Sequence, residues 1–471
     1  MKKNNLLGKE KNVLATILII STIVLGGLQF ISYTVHEKAF MGDETYYYMR
    51  MSGQYQDTGV ANYDLLKERS VSFNLLYLVP GTPAMPLEPT ARFLPVILGV
   101  ISVYLFYVLT KIFKLDKDER LASTIIFAAN PLFVYVFTSF TPLILAVPIG
   151  LAGTIFLFRK KFVLATAFFA VLPLLSFTPS LLAFACLLAL LFLRKDMKAA
   201  VAASISAIVV ATIASWLFLG FSPDLELAPS QELLSSVFVE LGGIKAYSII
   251  IIALATMGII ATWKRDINSL YLLLITIISL IASLFFSEIR IFVTIIISVF
   301  AGIGIINIAR MEWNVQPIKN ITLILVLCSI IFSFVVSIDN AFSQVNAEKI
   351  NGMRYLSTSD PEDIILSVEE NGFMISYLAG RRPFIDGFSY KYEYYDERKE
   401  EAMSIYYLRD LASLEEKLQE NNINYILLDY NMRHGGVWTS SEEGILFLFK
   451  YANEFVRIFN NEEVMIYRYI G

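Results

Sequence analysis

Residues 13–50 read VLATILIISTIVLGGLQFISYTVHEKAFMGDETYYYMR, and the change of character near residue 34 decides the fold. Residues 13–33 form one apolar run. A helix needs roughly 17–25 such residues to cross the ~30 Å hydrocarbon core of a bilayer. No small-residue cleavage site follows a short apolar core, so this run is expected to stay as a helix and not to be removed as a signal peptide. Residues 34–50 have the opposite character. His36, Glu37, Asp43 and Glu44 come in quick succession, with Gly42 before the two adjacent acids and Tyr46, Tyr47 and Tyr48 after them.

Runs of the first kind recur at about 91–113, 121–138, 141–158, 162–177, 179–193, 199–220, 246–263, 269–286, 291–309 and 320–338, which makes eleven candidates. The 471-residue chain is 56% hydrophobic and 17% charged, against roughly 45–50% and about 25% in ordinary globular chains. Mean hydropathy is +0.60. Collagen, coiled coil, disordered tail and small disulfide scaffold are all excluded. Cys186 and Cys328 both lie inside apolar runs, so no disulfide framework is indicated.

Charge orients the runs. Lys2, Lys3, Lys9 and Lys11, then Lys111, Lys114, Lys117 and Arg120, then Arg159, Lys160 and Lys161 fall on alternate sides. Arg194, Lys195 and Lys198, then Lys264 and Arg265, then Arg310 and Lys319 continue the pattern. That side collects 18 Lys/Arg, and the opposite loops up to residue 339 hold seven. The positive-inside rule then puts the N-terminus in the cytoplasm and, with eleven crossings, residues 339–471 outside. The expected organisation is a membrane domain over 1–339, with a long first outer loop at 34–90, a linker at 340–363 and an extracytoplasmic α/β domain at 364–471. In that tail 373–378, 423–429, 455–459 and 464–469 read as strands, and 411–421 and 442–453 as helices. Residues 340–471 carry 13 Lys/Arg against 22 Asp/Glu, so nucleic acid is not an expected partner.

The apolar runs contain almost no charge, which speaks against an ion-coupled transporter, because moving charge requires ionisable partners within the membrane. Walker, Rossmann and zinc-ligand spacings are absent. Chemistry is therefore sought at the outer rim, first at Asp43 and Glu44. A helix cap would explain one of these acids and leave the second over. Arg290, in FSEIR at 286–290, is the basic residue of the outer loops between the eighth and eleventh runs. It suits a phosphate; it also suits an interfacial anchor paired with Glu288. His36 and Glu37 could join Asp43 and Glu44 around a divalent metal ion, the one cofactor the pattern leaves open, though a single His is thin support. Asp224, Glu226, Glu232 and Glu240 suit an acceptor or a solvated face. Arg381, Arg382 and Asp386 in AGRRPFIDG suit a substrate-contacting or structural turn.

An N-terminal helix followed by an outer loop that opens on an Asp-Glu pair and aromatics resembles the GT-C superfamily of membrane glycosyltransferases. That superfamily includes protein O-mannosyltransferases, the aminoarabinose transferase of lipid A and oligosaccharyltransferase catalytic subunits. PTARFLPVILGVISVYLFYVLTKIF (89–113) is similar to the family's second helix, and ASTIIFAANPLFVYV (122–136) to its third. SEIRIFV (287–293) resembles the Glu-x-Arg-aromatic region late in the membrane domain. The resemblance implies a polytopic α-helical membrane protein that takes a sugar from a polyprenyl- or dolichyl-phosphate donor and gives it to an extracytoplasmic acceptor. Asp43 would be the catalytic base and Glu44 its acidic neighbour. Arg290, with Glu288, would hold the donor phosphate, and His36, Tyr46, Tyr47, Arg381 and Arg382 would contact substrate. The Trp-Trp-Asp-Tyr-Gly motif of oligosaccharyltransferases is missing, which disfavours transfer of a whole oligosaccharide to Asn. TSFTPLIL (138–145) has no acid where many relatives place a second one. Two rival readings remain: a transporter or flippase of lipid-linked sugars, and a non-catalytic assembly protein with the same fold.

Overall fold

The computed structural model describes residues 2–79, 86–193, 197–219, 237–241, 243, 245–263, 268–343, 347–389, 395–440 and 442–471. They form two compact units, one of Met1–Phe30 with Val71–Ser343 and one of Ile31–Ser70 with Gln344–Gly471. The segment between the first two apolar helices is thus divided at Ser70, and its leading part folds with the tail.

The first unit is helical. Among the described residues, five helices are long and apolar enough to cross a bilayer: Glu10–Val35, Leu87–Ile112, Lys198–Leu217, Ser287–Arg310 and Gln316–Asp339. A sixth crossing results if Lys117–Ala128 and Pro131–Thr138, bent by 53°, count as one. That bend breaks the run expected at 121–138. Asn130 accepts from the Leu132 amide at 3.0 Å and starts a new helix with Pro131 in its first turn. Four shorter apolar helices, Leu143–Phe158, Phe162–Leu174, Phe177–Leu191 and Ile249–Thr262, coincide with other predicted runs. The chain is a multi-pass membrane protein by these helices. Gln316–Asp339 turns Ile321, Ile324, Leu325, Phe332 and Val335 outward, a surface that only lipid would cover favourably.

Packing in this unit follows membrane rules. A Cβ on Gly258 would run into the Phe300 carbonyl, and one on Gly304 into the Leu254 carbonyl, so two backbones approach as only small residues permit. Hydroxyls back-bond within helices, as Ser21 to the Ile17 carbonyl (2.8 Å) and Ser102 to Leu98 (2.7 Å). Charge sits at helix ends. Glu10 accepts from Arg120 at 2.8 Å and from Tyr107 at 2.7 Å. Arg310 reaches Asp116 at 3.0 Å and Asp118 at 2.9 Å. Arg120 of the second basic cluster and Arg310 of the last are thereby each held by acids at helix ends.

The second unit is α/β. Helix α1 (Lys2–Val35) leads to α2 (Asp43–Thr58), and a hairpin of β1 (Tyr63–Asp64) and β2 (Arg69–Ser70) comes next. The tail supplies β3 (Ile364–Leu366), β4 (Arg382–Pro383), β5 (Ile423–Asp429), β6 (Phe455–Asn460) and β7 (Val464–Tyr469). They form one sheet in the order β4-β3-β5-β7-β6, with β3 parallel to β4 and β5 and the other pairs antiparallel. β5 is buried along nearly its whole length, as a central strand covered on both faces should be. Trp438 anchors the core and donates to the Tyr406 carbonyl at 3.0 Å.

Two expectations fail here. FMISYL (373–378) is helical, within Glu369–Met374 and the wider turn Ile375–Ala379 that continues it. Phe373 through Ser376 are all buried, and an apolar run enclosed on all sides has no periodicity to separate strand from helix. The expected linker at 340–363 holds a helix, Ala347–Tyr355, which buries Ile350, Gly352 and Met353. β3 and β4 escaped notice because each has only two or three residues.

Candidate active site

Asp43 owes its place to the backbone before it. After α1 the chain turns through Glu37 and Lys38 at φ 50° and 65°, then Gly42 at φ 77°. Gly42 is the N-cap of α2 and Asp43 its first helical residue, so the cap accounts for neither acid. Having no side chain, Gly42 leaves the first-turn amides to others, and Asp43 Oδ1 accepts from the Glu44 amide at 2.9 Å. The helix dipole favours an ionised carboxylate at this end.

The tyrosines after this pair are core residues. Tyr46 is fully buried, its hydroxyl accepts from the Phe40 amide at 3.0 Å, and its ring meets Tyr377. Tyr47 packs edge-on against Phe388, with centroids 4.7 Å apart, and lies against Phe373. They hold α2 against the tail within this unit.

Asp43 opens on a cavity of about 200 Å³ lined also by Lys349, Val368, Glu370, Met374, Asp429, Asn431, Met432, Gly436 and Val437. Its floor is a product of sheet topology. β3 and β5 run parallel, and Val368 and Glu370 come just after β3 while Asp429 ends β5. Carboxyl ends of parallel strands are where open α/β sheets make crevices. Asp429 is engaged by Lys349 at 3.3 Å, Asn371 at 3.0 Å and the Met432 amide at 2.9 Å. Burial opposes its ionisation, but these partners, Lys349 foremost, outweigh that and hold its pKa below the ordinary value. Glu370 is shifted the other way. Burial, with the charges of Glu369 and Asp429, outweighs its own backbone amide and raises its pKa. Lys349, Glu370, Asp429 and Asn431 were not foreseen. The available signal was an acid at the end of a well-predicted strand.

A second group of charges lies behind α2. Arg50 forks onto Asp64 with contacts of 2.7 and 2.6 Å. Asp64 also lies 3.7 Å from Arg69. Arg69 reaches Asp386 at 2.9 Å, and Lys67 reaches the same oxygen at 2.6 Å. Burial brings Lys67 down to about 8 despite Asp386 beside it. Asp386 is held well below the usual carboxylate range, because Lys67 and Arg69 overcome its burial.

The remaining predicted residues have structural partners in both units. Glu37 accepts from Asn351 at 3.1 Å. Among the described residues no group of three or more His, Cys, Asp or Glu side chains is arranged to hold a metal, so His36, Asp43 and Glu44 do not form such a set. Arg381 clamps the Ser357, Ser359, Ala379 and Gly380 carbonyls, and Arg382 pairs with Glu68 at 2.6 Å. In the helical unit, Arg290 is buried and donates to the Ser283 and Lys245 carbonyls at 3.0 and 2.7 Å. Glu288 accepts from Ser176 at 2.5 Å. Glu240 accepts from the Ile249 amide and Ser333. Asp224, Glu226 and Glu232 lie outside the described residues.

No protein-family model and no curated protein sequence matches the chain. Solved structures do. The archaeal oligosaccharyltransferase AglB from Archaeoglobus fulgidus, in complex with an inhibitory peptide and a dolichol-phosphate, is similar with a TM-score of 0.64 at 11% identity, over 89% of this chain and 69% of that one. ArnT from Cupriavidus metallidurans in the apo state gives 0.57 at 10%, over 95% and 97%. Arabinofuranosyltransferase AftD from Mycobacteria gives 0.52 at 14%, over 97% and 40%. The chain shares its fold with these structures, which are of GT-C superfamily membrane glycosyltransferases.

Proposed function

We propose that this chain transfers a single sugar from a polyprenyl- or dolichyl-phosphate donor to an acceptor outside the cytoplasm, with Asp43 as general base. The observation that carries the reading is the Asp43 carboxylate on a cavity with room for a sugar-sized acceptor and with Lys349, Glu370, Asp429 and Asn431 to bind it. The fold supports the donor class, since similar structures hold a dolichol-phosphate or, in ArnT from Cupriavidus metallidurans, undecaprenyl phosphate.

In this mechanism an acceptor hydroxyl donates to Asp43 within about 3 Å. As the acceptor oxygen bonds to the anomeric carbon, its proton passes to Asp43. The bond from that carbon to the phosphate oxygen breaks, and the lipid phosphate leaves with the electron pair. Leaving requires fixed positive charge, and Arg290 is assigned that part. Glu44 is its acidic neighbour in this reading. Eleven crossings, a cytoplasmic N-terminus and an external tail complete the reading and leave Asp43 on the outer side.

The non-catalytic alternative draws on TSFTPLIL, where no second acid stands. The deciding experiment offers purified protein a polyprenyl-phosphate sugar and a nucleotide sugar separately. Turnover with the lipid donor, lost in Asp43→Asn, is expected. Use of the nucleotide sugar alone, or no transfer to any acceptor, would overturn the proposal.

A further inference from the structure

Arg50 stands seven residues after Asp43 on α2, two helical turns and about 10 Å along the axis. The two side chains therefore leave nearly the same face. Through Arg50 the charges behind α2 grip the helix itself. From there the contacts run through Asp64, across the β1–β2 pair to Arg69, and on with Lys67 to Asp386 of the tail. The side chains of Asp64 and Asp386 are 0% and 1% exposed, and those of Arg50, Lys67 and Arg69 no more than 13%. Asp386 is itself fixed, since its carboxylate accepts from the Phe388 amide at 3.1 Å and from Ser389 at 2.9 Å. Its turn is wedged against Gly372, where an added Cβ would lie 2.5 Å from the Asp386 Cβ. Phe388, next in that turn, packs on Tyr47 of α2. None of these five charged residues lines the cavity.

We infer that Arg50, Asp64, Lys67, Arg69 and Asp386 are positioning residues, a relay by which the tail sets the pitch of α2 and so the place of the Asp43 carboxylate. Bidentate pairs fix orientation as well as distance, which is why the grip on the helix is an arginine fork and not a lysine. A base displaced by about 1 Å loses roughly 10²-fold in rate. The relay rests on the assignment of Asp43 as base, but its effect on α2 does not.

The test therefore has two readouts on full-length protein. Asp386→Asn and the milder Arg50→Lys should lower kcat about tenfold or more and leave the acceptor KM within about twofold, because the relay acts on the base and not on the cavity walls. Asp386→Glu should restore part of the loss. In an Asp43→Asn background, Asp386→Asn should cost nothing further, as expected of residues acting through one another. Hydrogen exchange of the α2 amides should rise in both variants while exchange in β5 stays as in wild type. An unchanged kcat, a loss that multiplies with that of Asp43→Asn, or unchanged α2 exchange would overturn the relay. Faster α2 exchange with no wild-type turnover on any lipid donor would sink the transferase reading and keep the relay.

Discussion

In the helical unit, several buried polar side chains turn to the main chain. Gln29 donates to the Thr138 carbonyl at 2.5 Å, Asn74 to Leu175 at 2.6 Å and Ser123 to Val299 at 3.2 Å, and Arg290 holds two carbonyls. In the α/β unit several buried charged side chains turn to one another, as Arg50 to Asp64, Lys67 and Arg69 to Asp386, and Lys349 and Asn371 to Asp429. The first habit suits a surrounding without water, where an unsatisfied backbone group costs several kcal/mol and neutral donors serve as glue. The second concentrates coupled charge, so a change at one residue is felt by its neighbours. One unit is a frame, and the other is where the proposed chemistry sits.

That contrast can be broken most sharply by sidedness. In a chain with Cys186 and Cys328 replaced by alanine, an impermeant thiol reagent applied to sealed cells should label Ser440→Cys fully and leave Lys117→Cys unlabelled. Labelling at Lys117→Cys would undo the eleven-crossing topology. Next in size is the base. Asp43→Asn should slow sugar transfer by about 10²–10⁴-fold, with a smaller loss in Glu44→Gln. Wild-type turnover in Asp43→Asn would remove the chemistry from the α/β unit.

The frame has one proposed chemical residue, and it gives the next effect. Arg290→Ala should weaken binding of a polyprenyl phosphate by roughly 1.5–3 kcal/mol, the range of a hydrogen bond to a charged group. Arg290→Lys should recover part of that loss. Unchanged lipid affinity in Arg290→Ala would leave Arg290 as a carbonyl clamp like its neighbours in the frame.

The smallest effect tests coupled charge as a cost. Glu370 has a raised pKa when folded, so the folded protein holds its proton more tightly than the unfolded chain does. Stability from this group is therefore present at low pH and lost as pH rises through the carboxyl range. Glu370→Gln should raise the unfolding temperature at pH 8 by a few degrees, at about 2–4 °C per kcal/mol, and give no gain near pH 4. Equal gain at both pH values would exclude ionisation as the cause.

The frame was the legible part. Apolar length and basic alternation are strong signals, and most of the predicted runs became helices, although Asn130 and Pro131 split one. The α/β unit was read less well. Strands β5, β6 and β7, marked by β-branched and aromatic residues, and the helix at 411–420 lie where they were expected. The Asp43–Glu44 pair was legible as two adjacent acids soon after the first apolar run. Its surroundings were not. Lys349 lay in a segment taken for linker, Glu370 beside a stretch taken for strand, and Arg50, Asp64, Lys67 and Arg69 carry no local pattern. Asp386 had been weighed only as part of a turn. Contacts between positions more than 300 residues apart, such as Arg69 with Asp386, leave nothing for periodicity to detect.

The α/β unit is assembled from two segments with the whole of Val71–Ser343 between them. During synthesis at about 5–20 residues per second, the first segment waits on the order of 15–55 s for the second. In that interval Arg50 and Asp64, fourteen residues apart, have each other. Lys67 and Arg69 have no Asp386, and the tyrosine rings of α2 have no Phe373 or Phe388 to cover them. The newborn loop thus leaves aromatic rings uncovered until the last quarter of the chain arrives, and order of birth becomes a constraint on its sequence.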